Sequence, residues 1–148
     1  RGFKEEDFAQ FHPGGTLGRR LLFKVRDLMH EGSALPRVST TASARDAIRE
    51  MTSKKLGMTT VVNAKGQLAG VITDGDLRRF LEKRNSLAKA KAKDLGSTSP
   101  QTVQADALAA KALQTMEQFS ITSLVVVDER NRLAGVIHLH DLLKSGVV

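Results

Sequence analysis

Leu68-Ala-Gly-Val-Ile72 recurs without change as Leu133-Ala-Gly-Val-Ile137, at an offset of 65 positions (133 − 68) in a chain of 148 residues. The same offset relates three further pairs of segments: Ala47-Ile48 and Ala112-Leu113, Val61-Val62 and Val126-Val127, and Asp76-Leu77 and Asp141-Leu142. A fixed-period match over several segments indicates a repeated structural unit. The sequence therefore predicts two copies of one unit, copy one over residues 25–90 and copy two over residues 91–148.

Each copy shows the pattern strand, helix, strand, strand, helix. Ser43 is expected to cap a helix whose apolar face recurs at helical spacing, and Asp106 is expected to cap its counterpart, whose apolar face runs to Phe119. Turn-forming residues lead into the two Leu-Ala-Gly-Val-Ile strands, and a short helix closes each copy. Because neither copy is long enough to bury a good core alone, we predict an α/β (α+β) fold of two βαββα repeats packed against each other.

Composition excludes several classes of protein. The 23 Lys and Arg residues exceed the 16 Asp and Glu residues, which gives a net charge of +7, and the chain has no Cys. A disulfide framework and a thiolate zinc site are therefore excluded. With no signal peptide and no apolar run of membrane-spanning length, we expect a cytoplasmic protein without a membrane partner. Most Phe residues lie away from the lysines of residues 83–93, so small anionic ligands are favoured over nucleic acid.

The junction between the last strand and the last helix of copy one reads Gly70-Val-Ile-Thr73-Asp74-Gly75-Asp76. Thr73 offers a hydroxyl and a backbone N–H at a helix N-terminus, which is the chemistry of a phosphate site. Asp76 can accept two hydroxyl hydrogen bonds, such as a ribose diol offers. The alternative is that Thr73 and Asp76 form a capping box and bind nothing.

Copy two replaces Thr73 by His138 and keeps the aspartate as Asp141. Histidine is a poor N-cap beside threonine, so keeping the aspartate without its capping partner indicates that Asp141 has a second role. His138 and His140 alternate along the chain. Without a third ligand in the pattern no metal is expected, and two imidazoles that meet an anionic ligand are the favoured interpretation.

These residues resemble the CBS domain, and the two copies resemble a CBS pair, or Bateman module, over residues 25–148. The resemblance implies pseudo-two-fold symmetry and a nucleotide in the clefts between the halves, with Asp holding ribose and Thr or Ser holding phosphate. Thr73 and Asp76 would then form one cleft, and His138 and Asp141 the other. Four residues match the positions that line the base in that family: Thr40, Met58, Thr59 and Ser123. His138 departs from the family pattern, which implies that one cleft is altered or empty.

The leader, which includes His12-Pro-Gly-Gly-Thr-Leu-Gly-Arg19, is similar to the junction segment of the arabinose-5-phosphate isomerase family. That family joins a sugar isomerase domain to a CBS pair. The resemblance implies that residues 1–24 are a junction and that the parent enzyme interconverts ribulose 5-phosphate and arabinose 5-phosphate for Kdo and lipopolysaccharide synthesis. It implies a catalytic role for His12 in the intact enzyme only. We expect no catalysis from this chain alone and no required cofactor.

Two functions follow as expectations. The first is a regulatory module that senses a nucleotide, either an adenine nucleotide or the end product CMP-Kdo. The phosphate and carboxylate of CMP-Kdo would suit His138, His140 and Arg78 in a chain of net charge +7. The second is a ligand-free structural module that holds the isomerase together as an oligomer, through a homodimer of CBS pairs and a tetramer of the parent enzyme.

Overall fold

A computed structural model describes residues 22–84 and 87–146. In chain order its elements are α1 (Val25–Leu28), a 3-10 turn (Gly32–Ala34), β1 (Arg37–Ser39), α2 (Ala44–Lys54), β2 (Met58–Val62), β3 (Leu68–Thr73), α3 (Asp74–Arg84), α4 (Ala92–Leu95), β4 (Thr102–Gln104), α5 (Ala109–Phe119), β5 (Ser123–Val127), β6 (Leu133–His138) and α6 (Leu139–Ser145). Each copy contains the predicted strand, helix, strand, strand and helix, so the predicted fold class is confirmed.

The two copies form two three-stranded sheets of the same topology. In each sheet the first strand pairs parallel with the second, and the second pairs antiparallel with the third. The register also repeats, since Val61 lies opposite Gly70 and Val126 lies opposite Gly135. Both sheets carry an irregularity directly after these pairs. The repeat in the sequence is therefore a repeat in backbone geometry.

Reciprocal hydrogen bonds join the two sheets. The Leu68 N–H donates to the carbonyl of Asn131 at 2.9 Å, and the Leu133 N–H donates to the carbonyl of Gly66 at 3.0 Å. Leu133 is equivalent to Leu68, and Gly66 is equivalent to Asn131, at the offset of 65. Each bond is therefore the counterpart of the other, as pseudo-two-fold symmetry requires. A core cluster spans the contact, with buried side chains from both copies: Leu35, Met58, Val125, Val127 and Val136. The copies thus bury apolar surface against each other, which neither could do alone.

The two long helices begin differently. Ser43 caps α2 as predicted, because its hydroxyl accepts the Asp46 N–H at 3.1 Å. The prediction that Asp106 caps α5 is wrong, since the N-cap is Leu108 and no side chain caps this helix. The Ala109 N–H instead donates to the carbonyl of Phe23 at 2.8 Å. A distant backbone segment therefore supplies the partner that a local side chain was expected to supply.

That distant segment belongs to an exchange between the copies. α1 precedes β1 of copy one, yet its Val25 is fully buried in the core of copy two and donates its N–H to the carbonyl of Ala107 at 2.8 Å. α4 precedes β4 of copy two, yet its Ala92 is fully buried in the core of copy one and bonds the carbonyl of Ala42 at 2.8 Å. Each copy therefore completes its core with a short helix from before the other copy's first strand.

Candidate functional site

A cavity of about 1150 Å³ opens between the two copies, slightly above the range of roughly 300–1,000 Å³ that is usual for small-molecule sites. Six residues singled out in the sequence line it: Met58, Thr73, Asp76, Ser123, His138 and His140. Met58 pairs with Thr73 at the end of one sheet, and Ser123 pairs with His138 at the equivalent end of the other. The fold therefore brings the strand-to-helix junctions of both copies to one cavity.

Four other candidate residues do not line this cavity: Thr40, Thr59, Arg78 and Asp141. The Thr40 N–H donates to the carbonyl of Val62 at 3.0 Å. Val62 and Met58 are the two ends of β2, so Thr40 lies at the end of the sheet that is farther from the cavity. Thr59 is fully buried, with its hydroxyl donating to the neighbouring carbonyl of Thr60 at 3.2 Å. Arg78 is exposed to solvent, and its neighbour Arg79 lines the cavity instead. Residues 1–21 of the leader, His12 among them, lie outside the described residues.

Thr73 and Asp76 form a complete capping box at the start of α3. The Thr73 N–H donates to Asp76 Oδ2 at 2.9 Å, and the Asp76 N–H donates to Thr73 Oγ1 at 3.1 Å. The predicted alternative of a capping box is therefore present, and it uses one carboxylate oxygen of Asp76, Oδ2. The other, Oδ1, accepts from Arg79 Nη2 at 2.7 Å, and this arginine side chain is 65% exposed. An exposed ion pair of this kind is worth about 0–1 kcal/mol, so a ligand hydroxyl can take its place at small cost.

His138 also forms a capping box, which corrects the premise that copy two has lost one. His138 Nδ1 accepts the His140 N–H at 3.0 Å, and Asp141 Oδ2 accepts the His138 N–H at 2.7 Å. A neutral imidazole has one ring nitrogen free to accept, so it can replace a threonine hydroxyl. The sequence favours a second role for Asp141 because its capping partner is absent from the pattern. That premise is wrong, since the capping box is present.

The two cavity histidines lie face to face. The ring centroids of His138 and His140 are 4.7 Å apart, with an interplanar angle of 11°. Burial and the nearby His140 and His30 imidazoles lower the pKa of His138, against the opposing effect of Asp141. His138 therefore offers an anionic ligand a hydrogen bond from a neutral ring rather than a positive charge.

His30 is the second partner of Asp141. Its Nε2 lies 2.9 Å from Asp141 Oδ1, and the two side chains are 31% and 13% exposed. The residues are 111 positions apart, and no local pattern marks His30 as a site residue. In copy two both carboxylate oxygens of the aspartate thus have a partner from the chain, and one of these partners comes from the segment that follows α1.

The rest of the cavity wall divides into an apolar and a polar part. The apolar part includes Ile48, Met51 and Ile121, together with the ring of Phe119, which is 45% exposed although periodicity placed it on the core face of α5. The polar part carries positive charge on Lys55 and Arg79 and negative charge on Asp74 and Asp76. This division suits a ligand with a flat apolar ring at one end and a polar or charged group at the other.

Metal-binding clusters and membrane-spanning helices are both absent from the described residues. Across residues 22–84 and 87–146, no group of three His, Cys, Asp or Glu side chains is arranged to hold a metal ion. No helix within these same ranges has the length and apolarity needed to cross a membrane.

Comparison with known proteins places this geometry in a family. The model of the CBS domain matches residues 25–83 and 92–147. The arabinose 5-phosphate isomerases KdsD of Pseudomonas aeruginosa and Escherichia coli K12 are 49% and 45% identical over all 148 residues, and each match covers 45% of the relative. The chain therefore spans less than half the length of these curated relatives.

Solved structures show the same architecture. CBSX2 in complex with AMP matches with a TM-score of 0.72 and 26% identity, over 84% of this chain and 96% of that one. The CBS domain pair of protein MJ0100 in complex with 5′-methylthioadenosine and S-adenosyl-L-methionine matches with a TM-score of 0.73 and 19% identity, over 83% and 94%. With two matched copies and this shared fold, the chain belongs to the CBS domain family and carries a tandem CBS pair.

Proposed function

We propose that this chain is the nucleotide-sensing regulatory CBS pair of an arabinose-5-phosphate isomerase, and that it acts in the cytoplasm. The KdsD enzymes, 43–49% identical to the chain over its full length, support the parent activity. In the parent enzyme His12 would take part in ribulose 5-phosphate and arabinose 5-phosphate interconversion, because aldose–ketose exchange needs proton transfers that suit histidine. The regulatory role of the pair depends on the cavity.

The observation that carries the proposal is the meeting of both strand-to-helix junctions in one cavity. Asp76 Oδ1 can accept from a ribose diol once the exposed Arg79 turns away, and the freed guanidinium can then bind a phosphate. The stacked His138 and His140 rings add hydrogen-bond donors on the opposite wall. A nucleotide offers a diol, a phosphate and a flat ring in one molecule.

We take an adenine nucleotide as the first ligand to test and CMP-Kdo as the second. The apolar wall of Ile48, Met51 and Phe119 suits a large purine, and the related CBSX2 is solved in complex with AMP. CMP-Kdo carries a phosphate and a carboxylate. The cavity meets these two anionic groups with Lys55 and Arg79 but also with Asp74 and Asp76. These mixed charges do not separate the two ligands, so the order of testing follows from the apolar wall and the AMP complex of CBSX2.

Isothermal titration calorimetry with AMP, ATP, CMP and CMP-Kdo tests the proposal. We expect heat from at least one adenine nucleotide, and we expect Asp76→Ala to abolish it. Heat from CMP-Kdo and CMP alone would assign the cavity to the end product instead. Flat traces for all four compounds in a folded sample would contradict a nucleotide-sensing role.

A ligand-free structural role is the second candidate, and two observations favour it. Every buried side-chain polar atom in the described part of the chain has a hydrogen-bond partner, so these residues need no ligand to satisfy them. In addition, Leu81 on α3 and Leu143 on α6 are 40% and 52% exposed, which suits a homodimer contact of CBS pairs within a tetrameric parent. A dimer in sedimentation velocity that no nucleotide stabilises in a thermal-shift panel would support this role.

A further inference from the structure

The two aspartates of the repeat differ in how one carboxylate oxygen is held. Oδ2 accepts a backbone N–H in both copies, from Thr73 at 2.9 Å and from His138 at 2.7 Å. Asp76 Oδ1 is paired with an arginine that is 65% exposed. Asp141 Oδ1 is paired with His30, which is 31% exposed. Of these two aspartates, only Asp76 lines the cavity.

The repeat identifies the residue beside the sheet of copy one that is equivalent to His30. His30 exchanges two backbone hydrogen bonds with Val136, at 2.8 and 3.1 Å, and Ser97 exchanges two with Val71, at 2.9 and 3.0 Å. Val71 and Val136 are related by the same offset of 65 (136 − 71). His30 and Ser97 therefore occupy equivalent places beside the third strand of each sheet, and Ser97 lines the cavity.

The backbone is equally close to the strand in both places. A methyl group on Gly70 would lie 2.5 Å from the carbonyl oxygen of Ser97, and one on Gly135 would lie 2.8 Å from that of His30. Both segments therefore depend on a glycine for their approach, and the side chain at the equivalent position is what distinguishes them. A serine is too short to cover the neighbouring aspartate, whereas an imidazole reaches Asp141 at 2.9 Å.

The His30 ring is held more firmly than the arginine that covers Asp76. Its backbone is fixed on both sides by the pair of bonds to Val136. Arg79 lies on the exposed surface of α3, and its long side chain can turn into water without moving any backbone. A ribose can displace Arg79, but to reach Asp141 it would have to displace a residue built into the sheet edge.

We propose, on the basis of the proposed function, that one chain binds a single nucleotide with its ribose at Asp76, and that His30 blocks the equivalent position at Asp141. The pair is thus an asymmetric sensor made from a symmetric fold. The side chain at one position, His30 in one copy and Ser97 in the other, decides which copy presents its aspartate to the ligand.

Exchanging the two side chains tests the proposal. AMP and ATP are titrated by calorimetry into the 148-residue chain and two variants, His30→Ser and Ser97→His, with far-ultraviolet circular dichroism as the check of folding. We expect one nucleotide per chain in the wild type and two in His30→Ser. We expect Ser97→His to weaken binding by roughly tenfold or more, since the new imidazole competes for a charged acceptor. Thr98→His is the matched control, because Thr98 is exposed and does not line the cavity.

The outcomes separate this inference from the proposed function. Two nucleotides per wild-type chain, or one per folded His30→Ser chain, would overturn the block by His30 while nucleotide sensing stands. Ser97→His that is folded and binds as tightly as Thr98→His would overturn it as well, and this comparison decides if His30→Ser does not fold. Flat titrations of the folded wild type with AMP, ATP, CMP and CMP-Kdo would overturn the proposed function and this inference together.

Discussion

Replacing each repeat aspartate by alanine should destabilise the protein unequally. Asp76→Ala removes the acceptor of the Thr73 N–H, a bond of 2.9 Å at the start of α3. It also removes the ion pair to Arg79, which is too exposed to contribute much. Losing an N-terminal capping bond costs about 1 kcal/mol, so the expected loss of unfolding free energy is about 1 kcal/mol.

Asp141→Ala removes the equivalent bond, from His138 at 2.7 Å, and also the contact to His30 at 2.9 Å. The Asp141 side chain is 13% exposed, so this second contact is sheltered from water. A hydrogen bond to a charged group is worth about 1.5–3 kcal/mol. The expected loss is therefore about 2.5–4 kcal/mol, roughly 2 kcal/mol more than for Asp76→Ala. For a chain of this size that difference is about 4–8 °C in Tm.

Urea unfolding followed by circular dichroism measures both losses, because the chain has no Trp or Tyr to report by fluorescence. A double-mutant cycle of His30→Ala and Asp141→Ala should return a coupling of about 1.5 kcal/mol or more. Equal losses for the two aspartate variants, or a coupling near zero, would refute the reasoning that His30 is a firmly held partner of Asp141.

Three further predictions concern other contacts. Burial of Glu50 opposes its ionisation, but the hydrogen bonds from Lys54 and from the Arg37 N–H, together with the positive charges of Lys54 and Arg37, outweigh burial and lower the pKa of Glu50 below 4.5. The ionised Glu50 side chain stabilises the protein fully above about pH 4.5, and this stabilisation is lost as the pH falls through the lowered pKa. Urea midpoints measured against pH should therefore fall less at acidic pH in Glu50→Gln than in the wild type. The pKa of His138 is also lowered, so the neutral ring stabilises the protein fully above about pH 6.5, and this stabilisation decreases as the pH falls below that value. His138→Thr should keep the cap and should make the urea midpoint less dependent on pH in the range below about pH 6.5. A Cβ on Gly96 would overlap the carbonyl oxygen of Val71, so Gly96→Ala should cost about 1–3 kcal/mol in thermal unfolding, and an unchanged Tm would contradict that contact.

The fold was predictable because the repeat gives the same elements twice and so confirms each one. The offset between Val61 and Val126 in the sequence is also the offset between their positions in the two sheets. The Asp106 prediction failed because capping was read from adjacent residues, whereas the Ala109 N–H is satisfied by the distant carbonyl of Phe23. Periodicity likewise placed Phe119 in the core, but it is the last residue of α5 and lines the cavity.

The site was predictable where its contacts are local. Thr73 and Asp76 lie three positions apart, so their capping box follows from sequence spacing, and the same spacing brings Arg79 to Asp76. The contact between His30 and Asp141 spans 111 positions and depends on the exchange of segments between the copies. Patterns along the chain carry no information on such a pairing, which only the folded topology brings together.

The exchange of α1 and α4 has a consequence for how the chain is made. Val25 leaves the ribosome 117 residues before Leu142 (142 − 25), but the core that buries Val25 also needs Leu142. At typical rates of synthesis the wait between the two is on the order of ten seconds. During that interval the apolar side of α1 has no permanent partner, and copy one lacks α4 until residue 95 has emerged. Cutting the chain between residues 90 and 91 would remove a helix from each core, so we expect the pair to fold as one cooperative unit and not as two.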